Sequence, residues 1–513
     1  MTVADGQRAL LGVDLGAGSL KASVIAPDGA LLGEASHPIA TASPKLGWAE
    51  QDPEDWYRAF CRAVPEAIAR SGLAANDLAA LGISGGAHIE VLVDAEDRVI
   101  RPAILWSDQR SAAEAEELHA RAGERIIEAS LNRVNPTWTL AHLLWLQRHE
   151  PEAVARTARL FISKDYLRYR VTGDWHSDFS DAVGALMADA ATRGWSAEIC
   201  GLIDWPLDRL PPLAAPESVV GAVTAQAAEA AGLPVGLPVV TGSNDTTVEL
   251  FGAGAVTPGQ GAIKLATAGV LFQVADGPAV HPPISCYPHV IDGLYYTATG
   301  TNSCASAHRW LRDNFFTPFD PDAAFDGGAL FQAMDALAAE VPAGADGLLF
   351  HPYLQGERGP YWDPHLRADF IGLTMRHGRA HLVRALYEGI AFSIRDLMES
   401  ARAEGLDYQE IRLLGGGARS PVWRQIMADV TGLTIDCPER GDASFGAALV
   451  AGLGVGIFGS PQEAVERCVR LAARCLPDPA RHAHYGELFA VYKEAQAKLA
   501  PLDHRLHALS SGG

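Results

Sequence analysis

The stretch VVTGSNDTT (239–247) runs two β-branched residues into small polar ones and then into a single carboxylate, Asp245. The residues before it, GLPVV (236–240), read as the approach of a parallel strand, so Asp245 stands where a strand gives way to a loop. Open α/β sheets bind ligands at such strand ends, although turn and cap positions use the same residue type. Asp14 has a similar setting after the apolar run ALLGV (9–13). Three further loops are rich in small residues: DLGAGSLK (14–21), ATAG (266–269) and GGGARS (415–420). Glycine lets a backbone approach a ligand closely, and successive N–H groups then form an anion nest. None of the three has the Walker spacing or the dinucleotide GxGxxG pattern.

The elements that must position these groups are α/β in type. Residues 9–32 read as strand, glycine turn, strand, PDG turn, strand. Asp52-Pro53 reads as an N-cap followed by an N1 proline, opening a helix that runs to about 72. Residues 78–100 return to strand, TLAHLLWLQRHEP (139–151) is an amphipathic helix, and 381–405 is a long helix with Gly405 after it. GQGAIKLATAGVLFQV (259–274) repeats the strand, small turn, strand order of residues 10–24, which suggests an internal duplication. DASFGAALVAGLGVGIF (442–458) is a small-residue helix suited to close packing.

With 513 residues, the chain exceeds what one core supports, so at least two domains are expected. A net charge of −21 argues against nucleic-acid or anionic-membrane partners, both of which need a basic surface. The seven cysteines lack a CxxC pair and read as reduced thiols of a cytoplasmic protein. The N-terminal apolar run is too short for a signal peptide or a spanning helix.

Taken in order, WAEQDPEDW (48–56), RPAILWSDQR (101–110), SKDYLRYRVTG (163–173), YLQGERGPYWDP (353–364), ADFIGLTMRHGRAHLVRALYE (368–388) and LLGGGARSPVWRQIMADVTG (413–432) resemble the FGGY family of carbohydrate kinases, of the actin-like ATPase superfamily. The resemblance spans about Leu11 to Tyr492 and is nearest to the family's xylulose-phosphorylating branch. It implies two ribonuclease-H-like α/β domains with an active-site cleft between them: 8–252, carrying the sugar site and first phosphate loop; 258–475, binding the nucleotide; and a C-terminal helix and tail, 476–513. It implies transfer of the ATP γ-phosphate to a ketopentose, xylulose first, with Mg²⁺. Ribulose, erythritol or glycerol are the alternatives within the family. A non-catalytic sugar sensor or a nucleotide-switched scaffold are the alternatives outside it. The implied assembly is a homodimer.

The same resemblance assigns residues. Asp245 matches the general base, and Asp14 the acid that orients Mg²⁺, with Asp245 beside the metal. Gly16, Ala17, Gly18, Ser19 and Lys21 match the first phosphate loop, Thr267 and Gly269 the second. Ala305 and Arg309 match a segment bordering the nucleotide, and Gly416, Gly417 and Ser420 the adenosine loop. On the sugar side the matches are Ala87, His88, Trp106, Asp108, Trp138 and Asn244. Glu90 reads as a solvated strand residue. Three departures stand out. Ala17 replaces the Thr of the usual DxGT loop, Ala266 replaces the Gly that opens the second loop, and the Gln-Met pair before the sugar histidine is Gly86-Ala87. None of them removes a carboxylate, so ATP binding remains the expectation. His142 stands where the family commonly carries Lys, and the sequence offers no account of it.

Overall fold

The computed structural model of the protein describes residues 8–316 and 327–511. The chain forms two compact units. The first holds the chain up to Val256 together with Ala275–Tyr296 and Arg440–Arg470; the second holds Thr257–Val274, Thr297–Glu439 and the chain from Leu471 onward. The leading segment of the first unit ends at Val256, between the expected domains 8–252 and 258–475. The return of 275–296 and 440–470 to the first unit departs from the division at 258–475, and glycine is the reason for the second return.

In the first unit the strands β1 (Ala9–Leu15), β2 (Ser19–Ile25), β3 (Leu31–Pro38), β4 (Leu78–Gly85), β5 (Val219–Ala222) and β6 (Pro238–Val240) form one sheet in the order β5-β6-β4-β1-β2-β3. The first three strands are the meander expected from sequence, and β4, buried along its whole length, pairs parallel to β1. Helix Pro53–Ser71 covers one face, opened by Asp52, whose side chain accepts from Glu54 N. The small-residue helix Ala443–Gly454 covers the other. A Cβ on Gly12 of β1 would lie 1.9 Å from Ser444 O, and one on Gly82 of β4 would lie 2.1 Å from Ala447 O. Those two glycines let the helix backbone settle on the sheet. A side chain at either would force the layers apart.

The second unit repeats the scheme. Its strands β7 (Gln260–Leu265), β8 (Gly269–Asp276), β9 (Leu294–Thr301), β10 (Glu410–Leu414), β11 (Ile435–Pro438) and β12 (Leu471–Cys475) run in the order β9-β8-β7-β10-β11-β12. As in the first unit, an opening hairpin (β7 antiparallel to β8) has its first strand paired parallel to a later one, β10. The duplication suggested by the sequence is thus present in the pairing. The long helix Arg379–Ala403 ends at Glu404, with Gly405 at φ 86°. Among the described residues no helix is long and apolar enough to cross a membrane, and all seven cysteines are free thiols.

Candidate functional site

Two carboxylates of the first unit come together at its strand ends. Asp14 lies at the end of β1, in register with Ser84 of β4, whose hydroxyl donates to Asp14 Oδ1 at 3.1 Å. Asp245 begins the helix Asp245–Gly252, capped by Asn244, whose side chain accepts from Thr247 N at 2.9 Å. A backbone bridge from Asn244 to Gly85 fixes this helix start beside the end of β4. Gly242, at φ 72° and with Ile83 O only 2.0 Å from the place of a Cβ, permits the turn. Burial, and next the charge of Asp245, push the Asp14 carboxyl up to about 7. Asp245 Oδ1 accepts from Thr246 N at 2.6 Å and Thr246 Oγ1 at 3.2 Å. Its Oδ2 has no partner among the described residues.

Next to this pair is an aromatic group. His88, at φ 69°, lies flat on Trp138, with ring centroids 4.2 Å apart. Its Nδ1 is 2.6 Å from Gly184 O, and its Nε2 is 3.2 Å from Tyr287 OH. Burial drives the imidazole down to about 4, so it is neutral near pH 7. A carbonyl can only accept, so Nδ1 carries the proton and Nε2 accepts from the tyrosine. Tyr287 stacks on Tyr296, whose hydroxyl is 3.2 Å from Thr247 Oγ1. Both tyrosines are pushed well above their usual range, first by burial and in part by Asp245. The expected residues Asp14, Asp245, Asn244, His88 and Trp138 therefore share one region, with Ala87 beside Gly184. Asn244 also donates to Ser180 Oγ at 2.8 Å. Trp106 is half exposed and borders Gly86.

Asp108 corrects the sequence reading. It has no exposed surface, and both of its oxygens are spent. Oδ1 takes Arg110 N and Nε at 2.8 and 2.9 Å; Oδ2 takes Ala49 N at 2.6 Å and an Arg110 guanidinium nitrogen at 2.8 Å. It positions the loop that carries Trp106 and offers no atom to a solute. Glu90 is a second correction. It is buried, not solvated, and lies 3.1 Å from Nδ1 of the equally buried His142, which accounts for that histidine. Glu90 and His142 lie two and four residues beyond His88 and Trp138, so a hydrogen-bonded rung backs the stacked rung. Sequence reasoning also missed Tyr287, Tyr296 and the buried Lys164, whose ammonium lies within 3.0 Å of Asp165, Asp178 and Asp181. The motif SKDYLRYR contained the lysine but gave no sign of its partners.

The first loop expected to hold phosphate is the β1–β2 turn, closed by Gly16 N to Ser19 O at 3.1 Å, with Ala17 and Gly18 exposed at its tip. Asp14 Oδ2 lies 3.8 Å from where a Gly16 Cβ would be, so the acid adjoins the loop. Lys21 is paired with Glu34 at 2.7 Å and Asp442 at 3.3 Å, neither anticipated from the sequence.

The nucleotide-side residues meet in the second unit. Thr267, Ala305, Arg309, Gly416, Gly417 and Ser420 line one cavity of about 750 Å³. Gly417 packs against Leu265 and Trp423, and Gly415, at φ 85°, admits the close approach of Leu265 O. Ser420 caps helix Pro421–Thr431 through Trp423 N at 2.9 Å and donates to Asp335. The wall carries His308, Phe331 and Trp423, with Tyr387 stacked on Trp423 at 4.5 Å. Arg309 donates to Thr267 Oγ1 at 3.0 Å. Gly269, two residues beyond Thr267, begins β8 at the other end of the turn. Aromatic walls, a glycine floor and the arginines Arg309, Arg312 and Arg419 in the lining suit a flat heteroaromatic ring with an anionic extension.

Comparison with known proteins agrees with both halves. Residues 9–252 match the N-terminal domain, and residues 267–455 the C-terminal domain, of the FGGY family of carbohydrate kinases. The chain is 34% identical over 498 residues to the xylulose kinase of Escherichia coli strain K12, covering 96% of this chain and 99% of that one. It is 32% identical over 487 residues to the xylulose kinase of Bacillus subtilis strain 168, covering 94% and 96%. The crystal structure of xylulose kinase from Rhodospirillum rubrum superposes with a TM-score of 0.87 at 32% identity, covering 97% of this chain and all of that one.

Proposed function

We propose that this chain, which belongs to the FGGY family of carbohydrate kinases, phosphorylates xylulose with ATP to give xylulose 5-phosphate. The observation that carries this reading is the joining of His88, Trp138 and Tyr287 to Asp245 in one region of a chain that resembles xylulose kinases along its length. The sugar half of the reaction belongs to 8–252 with the returning segments 275–296, which carries Tyr287, and 440–470; the nucleotide half belongs to the remainder of 258–475, with 476–513 as helix and tail.

In this account the Tyr287 hydroxyl, which donates to His88 Nε2, accepts from the sugar, and Trp138 backs the imidazole. Asp245 Oδ2 accepts the proton of the attacking hydroxyl as its oxygen bonds to the γ-phosphorus and ADP leaves. A carboxylate is a weak base for an alcohol, so positioning and charge stabilisation supply most of the acceleration. The second unit's cavity holds ATP, with the adenine against Gly416, Gly417 and Ser420 and the phosphates toward Thr267 and Gly269. Gly16, Ala17, Gly18 and Ser19 contribute backbone donors from the first loop, and Lys21, with its two carboxylate partners, adds charge there. Mg²⁺ fits at Asp14 and Asp245. Asp14 is raised first by burial and next by the charge of Asp245, and a divalent cation would relieve the second of these. Among the described residues no group of three or more His, Cys, Asp or Glu side chains could hold a metal, so the two carboxylates would hold the ion together with several waters. Bound there, the ion neutralises phosphoryl charge. A cytoplasmic location and two copies per particle are the expectations that go with this reading, the second to be tested by light scattering.

A panel of xylulose, ribulose, erythritol and glycerol with coupled ADP detection tests the assignment. Xylulose should have the highest kcat/KM. Faster turnover of ribulose or erythritol would reject xylulose and keep the kinase.

A further inference from the structure

Arg358, in the segment YLQGERGPYWDP, has no role in the account above. Its guanidinium is partly buried in the second unit, and among the described residues its only hydrogen bond runs from Nη2 to Thr301 O at 3.2 Å. Its Nε is buried with no partner among them. The adjacent carboxylate does not neutralise it at ion-pair distance. Glu357 instead spends Oε1 on the N–H groups of Asn302 and Arg358, each at 2.7 Å, and Oε2 on the Thr301 hydroxyl. Among the described residues Arg358 makes no ion pair. A half-dehydrated guanidinium with one carbonyl acceptor is costly, because Nε has lost water without gaining a partner.

The location suggests a use. A Cβ on Gly300 would lie 2.6 Å from Gly269 O and 3.0 Å from Arg358 Nη2, so the guanidinium sits over the backbone where β8 begins and β9 ends. The same turn, on its Thr267 side, lines the 750 Å³ cavity. The turn thus has a ring-binding cavity at one end and an under-used fork of donors at the other. Helix Ala305–Phe315 holds the turn in place from behind: Ala305 N donates to Ala266 O at 2.8 Å, and Ser306 N to Thr267 O at 3.2 Å. A nucleotide with its base in the cavity would carry its phosphates along the turn toward Arg358.

We propose that Arg358 binds the outer phosphates of the nucleotide held in the second unit, receiving them in its guanidinium fork beyond the Ala266–Gly269 turn. The inference rests on the kinase reading for the identity of the ligand. It is tested by binding alone, so the two can fail separately. A guanidinium matches phosphate oxygens two at a time, whereas an ammonium meets them as a point charge.

The experiment is calorimetric titration of the full-length protein with adenosine, ADP and ATP, without sugar, for wild type, R358Q and R358K. Wild type should bind ATP more tightly than adenosine. R358Q should lower ATP affinity at least tenfold and leave adenosine affinity within twofold; R358K should recover part of the loss. Where R358Q does not fold, R358K decides alone: ATP affinity reduced at least threefold with adenosine unchanged supports the assignment. Equal losses for adenosine and ATP would make Arg358 a structural support of Thr301 and overturn it, as would an unchanged ATP-to-adenosine ratio. A sugar panel with no turnover would sink the kinase reading while leaving this ratio to be read.

Discussion

The imidazole of His88 lies on the indole of Trp138 with its plane only 15° away, although 50 residues of chain separate the two. His88 sits in a left-handed turn after β4, and Trp138 N-caps the helix Thr139–His149. Gly184, whose carbonyl holds Nδ1, has no Cβ to push the imidazole away; one there would reach it at 3.3 Å. The ring that faces the proposed sugar is thus fixed in tilt by a stack and in tautomer by a carbonyl.

Trp138→Ala should therefore weaken sugar binding without touching the nucleotide. Losing the stack costs about 1 kcal/mol, and the freed imidazole adds a similar amount. KM for xylulose should rise by roughly 10- to 30-fold, with KM for ATP within twofold. Steady-state kinetics with each substrate varied in turn checks it. A parallel rise in both constants would contradict it.

Acid should destabilise the protein through its buried histidines. Burial lowers His88, His289 and His308 from 6.5 to about 4 each. Between those values the unfolded chain binds a proton at each site that the folded chain refuses, so stability falls as pH falls from 6.5 toward 4. Near pH 5 each site contributes a slope of about 1 kcal/mol per pH unit. His289→Gln should remove about one such share, read as a smaller difference between urea midpoints at pH 6 and pH 5. An unchanged difference would refute the lowered value at His289.

Much of the scaffold was legible because its signals are local. The Asp52-Pro53 cap, the β1–β3 meander and the β7–β8 hairpin are each fixed by a few neighbouring residues. Asp245 stood out because a strand end with one acid is a short-range pattern. The partners that complete the site are long-range and carry no local mark. Tyr287 reaches His88 from 199 residues away, and Glu90 meets His142 across 52. Asp108 was misread for the same reason. Its motif showed an acid beside a tryptophan, but its saturation by Arg110 and by Ala49, 59 residues away, exists only in three dimensions.

Asp108→Asn discriminates the corrected role from the original one. One oxygen becomes an amide that cannot accept from Ala49 N or Arg110, while Glu50 still holds Arg110 at 2.7 Å. Stability should drop by roughly 3 kcal/mol, with KM for sugar within about twofold at a temperature where the variant is folded. A raised KM with unaltered thermal stability would return Asp108 to the substrate.

The central claim is that the free oxygen of Asp245 takes the proton from the attacking hydroxyl. The direct measurement is single-turnover phosphorylation of xylulose by Asp245→Asn, beside calorimetric binding of the same sugar. The account predicts that kcat falls by at least 10³-fold, a barrier increase of about 4 kcal/mol, while the sugar still binds within about tenfold of wild type. Turnover retained within tenfold would contradict it.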